Sequence, residues 1–192
     1  MAQLKNAPNH LRIIAGKWRS RKISFADKAD IRPTLDRIKE TLFNWLQGSI
    51  SKARCLDLYT GSGALGFEAL SRGADSVIFV DQSHETLQHI QEQLLMLEAT
   101  NGQCQNLSLP RDLTRLNRPF DIVFIDPPYN ADLLNQTLKA LSVSELIHDK
   151  TLIYGEAEKR YDVVIPDNFE ICKQKKTRHI QYFLLGVNSN KE

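Results

Sequence analysis

The chain has 192 residues, 42% hydrophobic and 25% charged, which supports one packed core and excludes a disordered or fibrous protein. A net charge of +2 conceals an asymmetry: residues 1–50 carry ten Lys and Arg against four acids, and residues 1–25 carry no acid. A basic arm on a near-neutral body suits contact with a polyanion, or is a merely solvated arm. No apolar run approaches the roughly 20 residues of a membrane helix. The opening MAQLKNAPNH lacks the apolar stretch of a secretion signal. Cys55, Cys104 and Cys172 are odd in number, scattered and without a CxxC pair, and the five histidines stand singly. The expectation is a cytoplasmic protein with neither a disulfide framework nor a metal site. Nothing in the pattern demands a second copy, so a monomer is expected.

In chain order, LRIIAGKWRSRKISF (residues 11–25) predicts two short strands around a basic turn. Residues 32–47 predict a helix with Ile38, Leu42, Trp45 and Leu46 on one face and Thr34, after Pro33, as its N-cap. From residue 53 strand and helix alternate. Strands are predicted at Cys55–Tyr59, Val77–Val80, Gln103–Leu107, Asp121–Ile125 and Thr151–Tyr154, and helices at Ala64–Ser71, His84–Glu98 and Leu133–Leu141. Strands apolar throughout belong to a parallel sheet covered on both faces. Tyr161–Ile165 and Ile180–Leu185 are predicted as two further strands, a hairpin at one end of the sheet. The fold expected is a doubly wound, mostly parallel α/β domain over residues 51–192. Residues 1–50 form a small basic extension of hairpin and helix.

The first strand ends in Asp57-Leu-Tyr-Thr-Gly61-Ser-Gly63-Ala-Leu-Gly66, and Asp81 ends the next strand. Glycines there let the backbone turn tightly against a ligand, and the acid can accept hydrogen bonds from ribose hydroxyls. The same glycines could serve packing alone. A nicotinamide dinucleotide is one candidate ligand, but Asp57 would repel its pyrophosphate and suits an ammonium instead. The pattern Asp-x-x-x-Gly-x-Gly resembles the S-adenosylmethionine turn of class I methyltransferases. That resemblance puts Asp57, Tyr59, Thr60, Gly61, Ser62, Gly63, Asp81 and Gln82 against the cofactor. The turn then lies along its methionine part, Asp81 holds the ribose diol and Asp57 helps position the amino-acid end.

The fourth strand ends in Asp126-Pro127-Pro128-Tyr129. Consecutive prolines fix the turn and offer carbonyls with no N–H, Asp126 adds a carboxylate acceptor, and Tyr129 adds an aromatic face. Together they make a socket for a planar group bearing an amine. The lone pair of such an amine is delocalised into its ring. The Asp126 carboxylate and Pro127 carbonyl can hold both N–H bonds, aim the lone pair at a methyl donor and stabilise the charge that develops.

DPPY after such a glycine turn resembles the amino-methyltransferases of nucleobases. With RIIAGKWRSRK (12–22), RPTLDRIKETLFNWL (32–46), LDLYTGSGALGFEALSRGA (56–74) and FDIVFIDPPY (120–129), the chain resembles the RsmD family from about residue 11 to residue 186. That family methylates N2 of a guanine in bacterial 16S rRNA. The resemblance implies a Rossmann-like fold, adenosylmethionine as cofactor, and 16S rRNA in the small ribosomal subunit or its assembly intermediate as partner. It makes Arg32 and Thr34 candidate cofactor neighbours, although Pro33-Thr34 could simply start a helix. The hairpin cations Arg12, Lys17, Arg19, Arg21 and Lys22 become a candidate RNA clamp, and Lys173–Arg178 is a second contact or an exposed loop. Ser20 and His179 stand where the family commonly has glycine. Two other readings remain: a DNA adenine or cytosine amino-methyltransferase, and a non-catalytic RNA-binding ribosome assembly factor.

Overall fold

A computed structural model describes residues 9–25, 33–128 and 132–188, the side chains of Asn9, Phe25 and Pro33–Leu35 excepted. Two of the residues singled out above, Arg32 and Tyr129, lie outside this set, as does the Thr34 side chain. In chain order the elements are β1 (Asn9–Arg12), β2 (Lys22–Phe25), α1 (Pro33–Trp45), β3 (Arg54–Leu58), α2 (Ala64–Ser71), β4 (Ser76–Asp81) and α3 (His84–Met96). There follow β5 (Gly102–Asn106), β6 (Ile122–Ile125), α4 (Leu133–Ser142), β7 (Leu152–Glu158), β8 (Phe169–Lys176) and β9 (Ile180–Val187).

Seven strands form one sheet in the order β5-β4-β3-β6-β7-β9-β8, and β1 and β2 form a separate hairpin. Pairing is parallel from β5 to β7 and antiparallel where β9 joins β7 and β8. All of β6 and the inner residues of β3 and β4 are buried because helices and loops cover both faces, as apolar runs without alternation require. One core lies under α1, α2 and α3 and includes Leu42, Phe43, Phe67, Phe79 and Phe124. The other lies under α4 and includes Leu58, Val123, Ile125, Leu138 and Phe183.

Two local expectations are corrected. Helix α1 begins at Pro33, so Thr34 sits inside its first turn rather than at the N-cap. Proline suits a first helical position, where no N–H partner is needed. Tyr161–Ile165 is not a strand: the eighth strand is Phe169–Lys176. Asn135 of α4 satisfies the backbone of that segment instead, donating to the Asp162 carbonyl and accepting from the Val164 N–H. Val163 and Ile165 pack under α4 from an irregular chain. β8 hid from the hydrophobic pattern because it is an edge strand, exposed beyond Phe169 and lysine-rich, as edges that must not pair with another chain are.

The N-terminal hairpin shares the first core. Leu11, Ile13, Trp18 and Ile23 are buried in it, while Arg12, Lys17, Arg19, Arg21 and Lys22 are exposed. Its turn is docked on the end of α2. The Lys17 N–H donates to the Ser71 carbonyl at 2.7 Å, and a Cβ on Gly16 would stand 1.8 Å from that carbonyl oxygen, so only glycine fits. Ser20 adopts φ +70°, the region in which glycine is most at ease, which explains why a glycine suits this position.

Candidate active site

Strand order reverses between β3 and β6: β4 and β5 build outward on one side of β3, and β6 and β7 on the other. The connections after β3 and β6 leave in opposite directions and open a crevice at their carboxyl ends, where ligands bind in open α/β sheets. Asp57 pairs with Phe124 in the parallel register, and Leu58 with Ile125. The glycine turn and Asp126 therefore leave adjacent strands side by side.

Within the turn, Gly61 and Gly63 take φ of +49° and +74°, and Gly61 borders open space. Gly66 serves packing: a Cβ there would meet the Phe79 ring at 2.2 Å and Asp57 Oδ2 at 2.9 Å. Asp57 is 3% exposed, and its Oδ2 accepts from the Thr60 hydroxyl and the Gly66 N–H, both at 2.9 Å. It thus ties strand, turn and helix together. Thr60 is likewise buried. Tyr59 takes a left-handed φ of +59°, and its hydroxyl hydrogen-bonds Thr137 of α4 at 2.7 Å. Through that bond the Tyr59 side chain braces α4.

Asp81 stands at the end of β4. Its Oδ2 accepts from the Gly61 N–H at 3.1 Å and its Oδ1 from the Ser83 N–H at 2.9 Å, which holds the carboxylate at the rim of a cleft of about 390 Å³. Gly61, Ser62, Asp81 and Gln82 line that cleft. So do Ser24, Glu85, Thr86, His89 and Gln93, which the sequence did not single out. Ser24 arrives from the hairpin, where its hydroxyl accepts from Gln93 Nε2 at 3.1 Å. The residues from α3 look like ordinary helix surface in a one-dimensional pattern, and only the docked hairpin makes them a wall.

The site is rich in carboxylates. Burial pushes Asp57 up to about 7, against the pull of its two hydrogen bonds, with the Asp81 charge adding to the rise. Asp126 is open to solvent at its surface, yet the surrounding protein strips its carboxyl of much of its hydration. Glu156 and Asp57 add like charge, so its pKa stands well above the usual carboxylate range. Pro127 is buried and Pro128 exposed, so the turn is anchored at one proline and open at the next.

A pH experiment tests the Asp57 assignment. Because its folded pKa is raised, its stabilising contribution is complete below about pH 4 and is lost as pH rises through 7. Asp57→Asn keeps an acceptor for Thr60 and Gly66 and cannot ionise. Urea unfolding between pH 5 and pH 8 should show the variant gaining on the wild type, by up to about 3 kcal/mol. Parallel curves would reject the assignment.

Among the described residues no group of His, Cys, Asp and Glu could hold a metal ion, and no helix is long and apolar enough to cross a membrane.

The open α/β sheet, the glycine turn at its switch point and the acid-proline turn on the neighbouring strand define a class I methyltransferase fold. A family model described as conserved hypothetical protein 95 matches residues 11–186. The chain belongs to this family, the RsmD family. It is 38% identical over 187 residues to ribosomal RNA small subunit methyltransferase D of Haemophilus influenzae, covering 95% of this chain and 96% of that protein. The protein of the same name from Escherichia coli K12 is 38% identical over 183 residues, covering 92% of each. Among solved structures, the proposed methyltransferase yhhF of Escherichia coli superposes with a TM-score of 0.87 at 37% identity, over 95% of this chain and all of that one.

Proposed function

We propose that the protein transfers a methyl group from S-adenosylmethionine to the exocyclic N2 of a guanine in 16S rRNA of the small ribosomal subunit. The observation that carries this reading is the register of β3 and β6, which sets the glycine turn beside the turn made of Asp126, Pro127 and Pro128. The names of the relatives support the substrate.

The residues fit adenosylmethionine. Gly61 presents bare backbone to a cleft of sufficient size, Asp81 offers a fixed carboxylate for a ribose diol, and among the described residues no Lys or Arg lines that cleft. When bound, the cofactor supplies an electrophilic methyl group. Asp126 and the Pro127 carbonyl accept the amine N–H bonds and turn its lone pair toward the methyl donor. Asp126 also stabilises the positive charge that grows on nitrogen, and no strong base is needed because the proton can leave after transfer. The guanine must leave its stack to reach the socket, and the aromatic ring of Tyr129 is proposed to hold it there. Arg32 and Thr34 are proposed to cover the cofactor.

The hairpin is proposed as the RNA clamp, since its apolar face is fixed in the core and its five named cations face solvent. Arg19→Glu combined with Arg21→Glu should weaken binding of 16S rRNA and reduce the slope of log affinity against log salt by about 2, one for each phosphate no longer neutralised. An unchanged slope in a salt titration would remove the hairpin from the RNA interface.

The deciding test is methyl transfer from labelled adenosylmethionine to under-methylated small subunits, naked 16S rRNA and duplex DNA. Label in N2-methylguanosine establishes the reaction. Label confined to DNA would keep the chemistry and overturn the substrate. Absence of transfer with intact cofactor binding would favour a binding-only assembly factor.

A further inference from the structure

Asp126 has a neighbour that the glycine turn and the proline turn do not account for. Ile125 of β6 pairs with Gly155 of β7 in parallel register, so the next residues, Asp126 and Glu156, leave the pair side by side. One pleat earlier Phe124 pairs with Tyr154, and alternation puts Phe124, Asp126, Tyr154 and Glu156 on the same face of the sheet. Glu156 is 5% exposed, and the Tyr154 hydroxyl donates to its Oε2 at 2.9 Å, which sets the direction of the carboxylate. It lines a recess together with Pro127 and Pro128. The Glu156 charge bears on Asp126 more than that of Asp57 does.

Two carboxylates that leave adjacent strands side by side suit a substrate that brings a donor to each. Guanine does so: its N1–H and its N2 amine stand next to one another on one edge. Adenine and cytosine carry their amines beside a ring nitrogen that only accepts, and a carboxylate facing that nitrogen would meet a lone pair.

Resting on the guanine N2 reading above, we propose that Glu156 accepts the N1–H of the target guanine while Asp126 holds its N2 amine, which makes Glu156 the residue that selects guanine. Tyr154 is its positioning residue.

The test uses the full-length enzyme and small subunits reconstituted with 16S rRNA carrying either guanosine or 2-aminopurine riboside at the methylated position. 2-Aminopurine keeps the exocyclic amine and replaces the N1–H by an acceptor. The wild type should prefer guanosine by about a hundredfold in kcat/KM, the effect of leaving a buried acceptor unmatched. Glu156→Gln, whose amide can donate to the ring nitrogen, should lower guanosine methylation about tenfold and hold or raise that of 2-aminopurine, so the preference falls at least about tenfold. Cofactor affinity and Tm verify that the variant is folded. Tyr154→Phe leaves both carboxylates in place and should reduce the same preference about threefold, a second route if Glu156→Gln folds poorly. Guanine N2 methylation with a preference unaltered in both variants overturns the role of Glu156 alone. Failure of the wild type to methylate guanine N2 overturns the function and this inference together.

Discussion

Asp126→Ala should lower methyl transfer by about three orders of magnitude, the upper range for loss of one preorganised group that stabilises developing charge. Asp126→Asn, which keeps one acceptor oxygen without the charge, should lose about two. Neither variant should lose stability. Desolvation and the like charges of Glu156 and Asp57 disfavour an ionised carboxyl at Asp126, and its removal relieves that cost. Adenosylmethionine should bind nearly as well, because the Asp81 carboxylate and the glycine turn proposed to bear it are untouched. Single-turnover transfer to small subunits, combined with calorimetric cofactor binding, separates the two effects. Near-normal turnover in Asp126→Ala would remove the acceptor socket from the mechanism.

The second large effect concerns stability and the hairpin. Glu68 of α2 is fully buried and holds the N-terminal segment to the body. Its carboxylate accepts from the Ile14 N–H at 2.8 Å, the Ala15 N–H at 3.0 Å and Arg72 Nε at 2.7 Å, and lies 3.7 Å from Lys39 Nζ. Lys39 is itself buried, its pKa lowered by burial and raised in part by Glu68, and it also donates to the Arg12 carbonyl at 2.6 Å. Glu68→Ala strands a buried ammonium and two backbone donors in one step. The expected loss is about 3–5 kcal/mol, the range for breaking one half of a buried ion pair. Urea unfolding gives the magnitude, and limited proteolysis should show cleavage near residues 14–22 before the sheet is attacked. Intact resistance of that segment would mean that the apolar residues of the hairpin, not Glu68, fasten it.

The two effects meet in function. The hairpin supplies both the exposed cations and Ser24 of the cleft, so undocking it should weaken the proposed RNA binding and also open the wall of the cleft. Asp126→Ala should do neither. Measuring RNA affinity and cofactor affinity in both variants therefore distinguishes a failure of chemistry from a failure of assembly.

Features that depend on neighbours along the chain were legible in the residues themselves. Apolar runs broken by Gly61, Gly63 and Gly73 marked the alternation of strand and helix, because side-chain periodicity and glycine's backbone freedom act within a few residues. The Asp126-Pro127-Pro128 turn was visible for the same reason, since proline restricts its own backbone wherever it stands. Tertiary structure alone decided what depends on contacts far apart in sequence. The strand order brought Asp57, Asp126 and Glu156 to the ends of adjacent strands, although they are separated by tens of residues. Pairing with β9 made the polar segment Phe169–Lys176 a strand, while Asn135 drew Tyr161–Ile165 out of the sheet. A left-handed backbone at Tyr59 sent its ring to Thr137, and Glu68 found its partners more than fifty residues away in the hairpin. Periodicity records which side of an element is buried, but it holds no record of which element will cover it.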